Sequence, residues 1–174
     1  MSKIKVGITQ GDINGISYEV ILKTLEDNRI SELCTPIIYG SPKVAAYHRK
    51  MLNLNINLNL INKPEEALEK RANIINCCND EIKVEVGFST PQAGDAAFKA
   101  LEKATKDLKD GKIDVLVTAP INKNNIQSNK TYYIVVDSYT STYKYNNLTE
   151  IERLGPGIYA RDLLAQYILD GRLK

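Results

Sequence analysis

Between Lys3 and Thr118 the chain switches repeatedly from the alternation of a strand to the spacing of an amphipathic helix. A chain built this way has few solutions, and the direct one is an α/β domain around a largely parallel sheet. Lys3–Thr9 alternates and is β-branched, predicting a strand, and Tyr18, Ile21, Leu22 and Leu25 predict a helix from about Ser17. Cys34–Tyr39 is a second apolar run, after which Ser41-Pro42 supplies an N-cap and a favoured first helical residue. Asn55–Ile61 is a third expected strand, Glu65–Arg71 a short helical piece behind Pro64, and Ile82–Val86 a further alternating strand. Pro91–Lys109 carries an apolar stripe of Ala97, Ala100, Leu101, Ala104 and Leu108, with Gly111 suited to the left-handed position that ends a helix. Ile113–Thr118 is expected as a buried strand.

In parallel sheets ligands bind outside the carboxyl ends of the strands. Two loops leave such ends with polar residues, Gln10–Gly15 and Thr118–Lys123, and they are candidates for one shared site. In the first, glycines permit close backbone approach and the helix start offers N–H groups to an anion. The alternative is a tight turn in which Asp12 or Asn14 bonds locally. The loop is neither a G-x-G-x-x-G fingerprint nor a Walker A sequence. In the second, Thr118, Asn122 and Lys123 combine a hydroxyl, an amide and a point charge, a set suited to a phosphorylated small molecule. Its alternative is that Asn122 caps the next segment and Lys123 is solvated.

Composition removes several classes of function. With 43% hydrophobic and 25% charged residues the chain is expected to be globular and soluble. A net charge of +2 leaves no footprint for nucleic acid or an anionic membrane. No apolar run approaches the ~20 residues that span a bilayer, and the N-terminus has no signal-peptide core. The expected compartment is the cytoplasm. Cys34, Cys77 and Cys78 match no zinc spacing and are expected as small buried hydrophobes. His48, the sole histidine, is expected as an exposed or partly packed helix residue.

The pattern Gly-Asp-x-x-Gly-Ile-x-x-Glu at Gly11–Glu19 and the run Thr118-Ala119-Pro120-Ile121-Asn122-Lys123 together resemble the 4-hydroxythreonine-4-phosphate dehydrogenases. Ile38-Tyr39-Gly40-Ser41 and Ala93-Gly94 lie between them where that family has similar residues, so the resemblance covers residues 1–128. It implies an isopropylmalate-dehydrogenase-like three-layer α/β domain and a homodimer of vitamin B6 synthesis. It also implies a divalent metal, and NAD-dependent oxidation of a phosphorylated hydroxy amino acid followed by decarboxylation. The substrate-binding residues it suggests are Asp12, Asn14, Thr118, Asn122 and Lys123.

Three features depart from the family. The Gly-His-Thr segment and the metal-ligating histidines are missing, Ser17 replaces a customary glycine, and the second lobe is absent. Asp12, Glu19 and Asp114 do not replace a histidine set. The expectation is a truncated member that is inactive as this chain. The alternative is a non-catalytic phosphate-ester-binding or interaction domain derived from the enzyme. Residues 129–174 hold seven of the ten tyrosines and were matched to no family motif. There Tyr132–Asp137 and Ser138–Tyr145 are expected as β segments and Ile158–Leu169 as a helix. An accidental tail, a fused segment and a repurposed protein all remain open for this region.

Overall fold

The computed structural model describes residues 3–79 and 81–126; the β segments and helix expected beyond residue 130 lie outside them. In chain order the elements are β1 (Lys5–Thr9), α1 (Ser17–Glu26), α2 (Asn28–Leu33), β2 (Thr35–Gly40), α3 (Pro42–Met51) and β3 (Leu58–Ile61). A 3-10 turn at Pro64–Glu66 leads to β4 (Ala72–Asn76), α4 (Pro91–Lys109) and β5 (Val115–Thr118). The sheet order is β3-β4-β2-β1-β5, and every pairing is parallel.

Three layers follow from the two-residue period of the strands. On one face Ile38 and Ile74 join Tyr18, Leu22 and Leu25 of α1 and Val44 and Ala45 of α3. On the other, Ile37, Tyr39 and Ile75 meet Ala100 and Ala104 of α4. All of β2 is buried, as a central parallel strand should be. The helix boundaries have local causes. Ser41 Oγ accepts from Val44 N ahead of Pro42, Thr90 Oγ1 accepts from Ala93 N ahead of Pro91, and Gly111 takes φ +69° just past α4.

Several expectations need correction. Ile82–Val86 is not a strand. Ile82 and Val84 do point towards the core, but Glu85 N donates to Asn14 Oδ1 and Gly87 N to Asn14 O, so a loop takes the hydrogen bonds a neighbouring strand would have taken. The strand of that region is β4, ten residues earlier. It follows a loop held by Asn73, whose Nδ2 has Pro36 O, Leu68 O and Arg71 O within hydrogen-bond reach for its two N–H groups. The helical piece behind Pro64 shrinks to one 3-10 turn, the third strand begins at Leu58, and α2 was unforeseen. Among the described residues β5 is an edge strand, and it is not buried: Val115 and Val117 are 41% and 47% exposed. Ser17 is the first residue within α1 and does not cap it; its hydroxyl donates to Pro120 O. Among the described residues no helix is long and apolar enough to cross a membrane.

Candidate functional site

From β1 the chain crosses to β2 on one side, whereas β5 lies on the other side of β1. The carboxyl ends of β1 and β5 therefore flank the point where strand order reverses, where a parallel sheet opens a crevice for ligands. Thr9 is in register with Thr118, which brings the loops Gln10–Gly15 and Thr118–Lys123 side by side. Pro120 O joins them. It accepts from Asp12 N at 2.9 Å and from Ser17 Oγ at 2.6 Å. Gly11 sits at φ +63°, and a Cβ there would collide with Pro120 O and stand 2.7 Å from Ser17 Oγ. The glycine is required by the neighbouring loop's own backbone. A third segment completes the junction, since a Cβ on Gly94, in the first turn of α4, would strike the carbonyl of Asn125.

The five residues singled out from the sequence divide by environment. Asp12 is 8% exposed and its Oδ1 accepts from Asn14 N, a local turn bond. Asn14 is buried and committed on both sides of its amide. Its Nδ2 donates to Phe88 O and Thr90 Oγ1, and its Oδ1 accepts from Glu85 N, so it ties the first loop to the segment entering α4. Thr118 and Lys123 are exposed and Asn122 is half-buried. Asn122 Oδ1 accepts from Asn124 N, starting the turn that carries Asn125 back onto α4. Structure thus brings all five to one end of the sheet, with Asp12 and Asn14 inside the wall and Thr118, Asn122 and Lys123 towards its surface.

Beneath the first loop lies a buried polar network that sequence reasoning missed. Gln10 Nε2 donates to Ala96 O (2.9 Å) and Cys78 Sγ (3.1 Å), while Gln10 Oε1 accepts from Tyr18 Oη (2.8 Å) and Ser41 N (2.9 Å). His48, expected as exposed or partly packed, is fully packed at 1% exposure and stacked on Tyr18 at 5.3 Å. Because a carbonyl only accepts, the 2.8 Å contact to Ile13 O fixes the proton on His48 Nε2 and pins the middle of the loop. Burial holds the imidazole below its usual pKa, against the raising effects of Ile13 O and Glu19. Burial likewise pushes the Tyr18 phenol well up, the Cys77 thiol up to about 12, and the Cys78 thiol upward. These are structural groups, neutral at physiological pH. The helical position of His48, three residues before the end of an otherwise basic α3, gave one weak signal: its face also carries Val44 and Ala45.

Among the described residues no group of three His, Cys, Asp or Glu side chains converges on a metal position. The implied divalent metal therefore has no ligand set in this part of the chain, and no step is derived through it.

The fold defines a parallel α/β domain whose candidate ligand edge lies at the carboxyl ends of β1 and β5. Comparison with known proteins carries this further: the family described as "Pyridoxal phosphate biosynthetic protein PdxA" matches residues 32–143. The chain belongs to this family. The 4-hydroxythreonine-4-phosphate dehydrogenase of Bacteroides thetaiotaomicron is 58% identical over 127 residues, which are 73% of this chain and 35% of that protein. Crystal structures of 4-hydroxythreonine-4-phosphate dehydrogenases from Burkholderia phymatum and Klebsiella pneumoniae superpose with a TM-score of 0.65 each, at 27% and 28% identity. Each superposition covers 72% of this chain and 39% of the other. The chain thus spans little more than a third of the length of the relatives it matches.

Proposed function

We propose that this chain supplies the amino-terminal, phosphate-binding edge of a 4-hydroxythreonine-4-phosphate dehydrogenase of pyridoxal phosphate biosynthesis. The observation that carries the reading is the junction at Pro120, which holds the two polar loops together over the β1/β5 crevice. A phosphate ester would lie over Thr118, Asn122 and Lys123, where a hydroxyl, an amide and an ammonium supply donors. Asp12 and Asn14 would act from beneath by keeping the first loop in shape. The family's full reaction, NAD-dependent oxidation and decarboxylation, would need a divalent metal held by ligands that the described residues do not supply. NAD, the metal, a homo-oligomeric state and a cytoplasmic location all belong to this proposal at the level of the family. The chain alone is proposed to be catalytically silent.

Amine-directed modification of Lys123 tests the reading. Added 4-phosphohydroxythreonine is expected to protect this lysine, and a chain without measurable affinity for phosphate esters overturns the proposal. With NAD and divalent metal present, NAD reduction should not exceed that of Lys123→Ala; turnover clearly above that control removes the claim of silence. The lack of a metal-ligand set among the described residues favours a second reading, a phosphate-ester-binding domain without catalysis. That domain would bind phosphate esters of different carbon skeletons equally well, whereas the first reading expects a preference for 4-phosphohydroxythreonine.

A further inference from the structure

The loop Gln10–Gly15 lies outside the strands and helices, so its buried backbone groups need partners from elsewhere in the fold. Gln10 N donates to Tyr39 O of β2 at 2.9 Å, and Asp12 N donates to Pro120 O at 2.9 Å. Asn14 O accepts from Gly87 N, ahead of α4, at 2.8 Å. Ile13, in the middle, is fully buried, and its carbonyl is met by a side chain: His48 Nε2 of α3, 2.8 Å away.

Packing alone would not select a histidine at this place. The same helix face carries Val44 and Ala45, and the ring lies between Tyr18, stacked at 5.3 Å, and Tyr47, edge-on at 5.4 Å. A leucine would fill much of this space but would leave Ile13 O buried without a donor. The ring is itself held firmly, because Tyr18 Oη donates to Gln10 Oε1 at 2.8 Å and accepts from Ser41 N at 3.1 Å. The surface on which His48 stacks is thus anchored at both β1 and the start of α3.

We infer that His48 is a positioning residue for the phosphate edge: its Nε2–H sets the path of the first loop, and that loop sets where Thr118, Asn122 and Lys123 stand. The coupling is short. Ile13 follows Asp12, whose N–H holds Pro120 O, and Pro120 lies two residues from both Thr118 and Asn122. His48 touches no ligand and acts through the two loops. The inference rests on the phosphate-ester reading of the site and adds to it a residue on α3, outside both loops.

Isothermal titration of the full chain with 4-phosphohydroxythreonine tests this in His48→Gln, His48→Asn and His48→Leu. The glutamine amide N–H stands close to where Nε2 was, the asparagine amide is one methylene too short to reach Ile13 O, and leucine has no donor. His48→Asn and His48→Leu are expected to weaken binding by about tenfold or more, and His48→Gln by less than about threefold. A side chain that merely fills space would not separate the two amides in this way. Wild-type affinity in all the variants overturns the inference, and so does His48→Gln binding as weakly as His48→Asn. If His48→Leu does not fold, the two amides decide alone. A wild-type chain that binds no phosphate ester removes the reading of the site instead. Amide hydrogen exchange of residues 11–15 then decides whether His48 sets the loop: faster exchange in His48→Asn than in His48→Gln upholds it, and equal exchange overturns it.

Discussion

The two sides of β1 differ in how completely their polar and apolar groups are matched. Towards β2, Gln10 has all four amide contacts satisfied, Tyr18 and His48 are stacked and bonded, and the strand is buried on both faces. Towards β5, two valines face outward and the side-chain amide of Asn125 is buried without a partner. Buried amides in finished proteins are hydrogen-bonded, since leaving one unmatched costs about 1–3 kcal/mol. The first region is matched by its own contacts, whereas among the described residues the second leaves one buried amide unmatched and two valines exposed. Candidate ligand-binding groups lie at the seam between them.

The comparison can be broken at the seam first. Gly11→Val places a branched side chain at φ +63° against Pro120 O. The expected loss is about 2–5 kcal/mol from strain and overpacking, measured by urea denaturation; a loss under about 0.5 kcal/mol would show that the loops are not locked together. On the satisfied side, Tyr18→Phe strips Gln10 Oε1 and Ser41 N of a hydroxyl partner and should cost about 1–3 kcal/mol. On the unsatisfied side the sign reverses. Asn125→Leu, similar in volume, should raise stability by about 1–2 kcal/mol because no hydrogen bond is lost; a lower melting temperature would mean that the amide is matched in solution.

A pH titration gives the smallest effect. The folded pKa of His48 lies below the unfolded value, so the unfolded chain binds the proton more readily. Stability tied to this group is present above about pH 6.5 and falls as pH drops towards the folded pKa, by at most about 1.4 kcal/mol per unit. The slope should be absent in His48→Gln, and an unchanged slope assigns it to the carboxylates.

Much of the architecture was legible where local chemistry and tertiary role agree. Pro91–Lys109 has its cap, its stripe and its terminal glycine in sequence, and the helix runs over those residues. The first two strands and the Ser41-Pro42 start were equally explicit. Ile82–Val86 misled because inside-outside alternation also describes a loop lying on a core, and nothing local shows whether another strand is adjacent. β4 was hidden for the converse reason: Asn73, within it, looks like a turn former until its contacts to Pro36 and Asn59 of the neighbouring strands are known. At the site, the pairing of the two loops followed from their positions at strand ends. The commitment of Asn14 and the burial of His48 did not, because their partners lie 71–76 and 35 residues away.

The Pro120 carbonyl has a mechanical consequence. Both of its lone pairs are engaged, one by a main-chain amide of the first loop and one by a hydroxyl on the opening turn of α1. Rotating that peptide breaks two hydrogen bonds at once, so the two loops cannot slide past each other gradually. Displacement of the Thr118–Lys123 loop is thereby coupled, through these two bonds, to the first loop and to the start of α1.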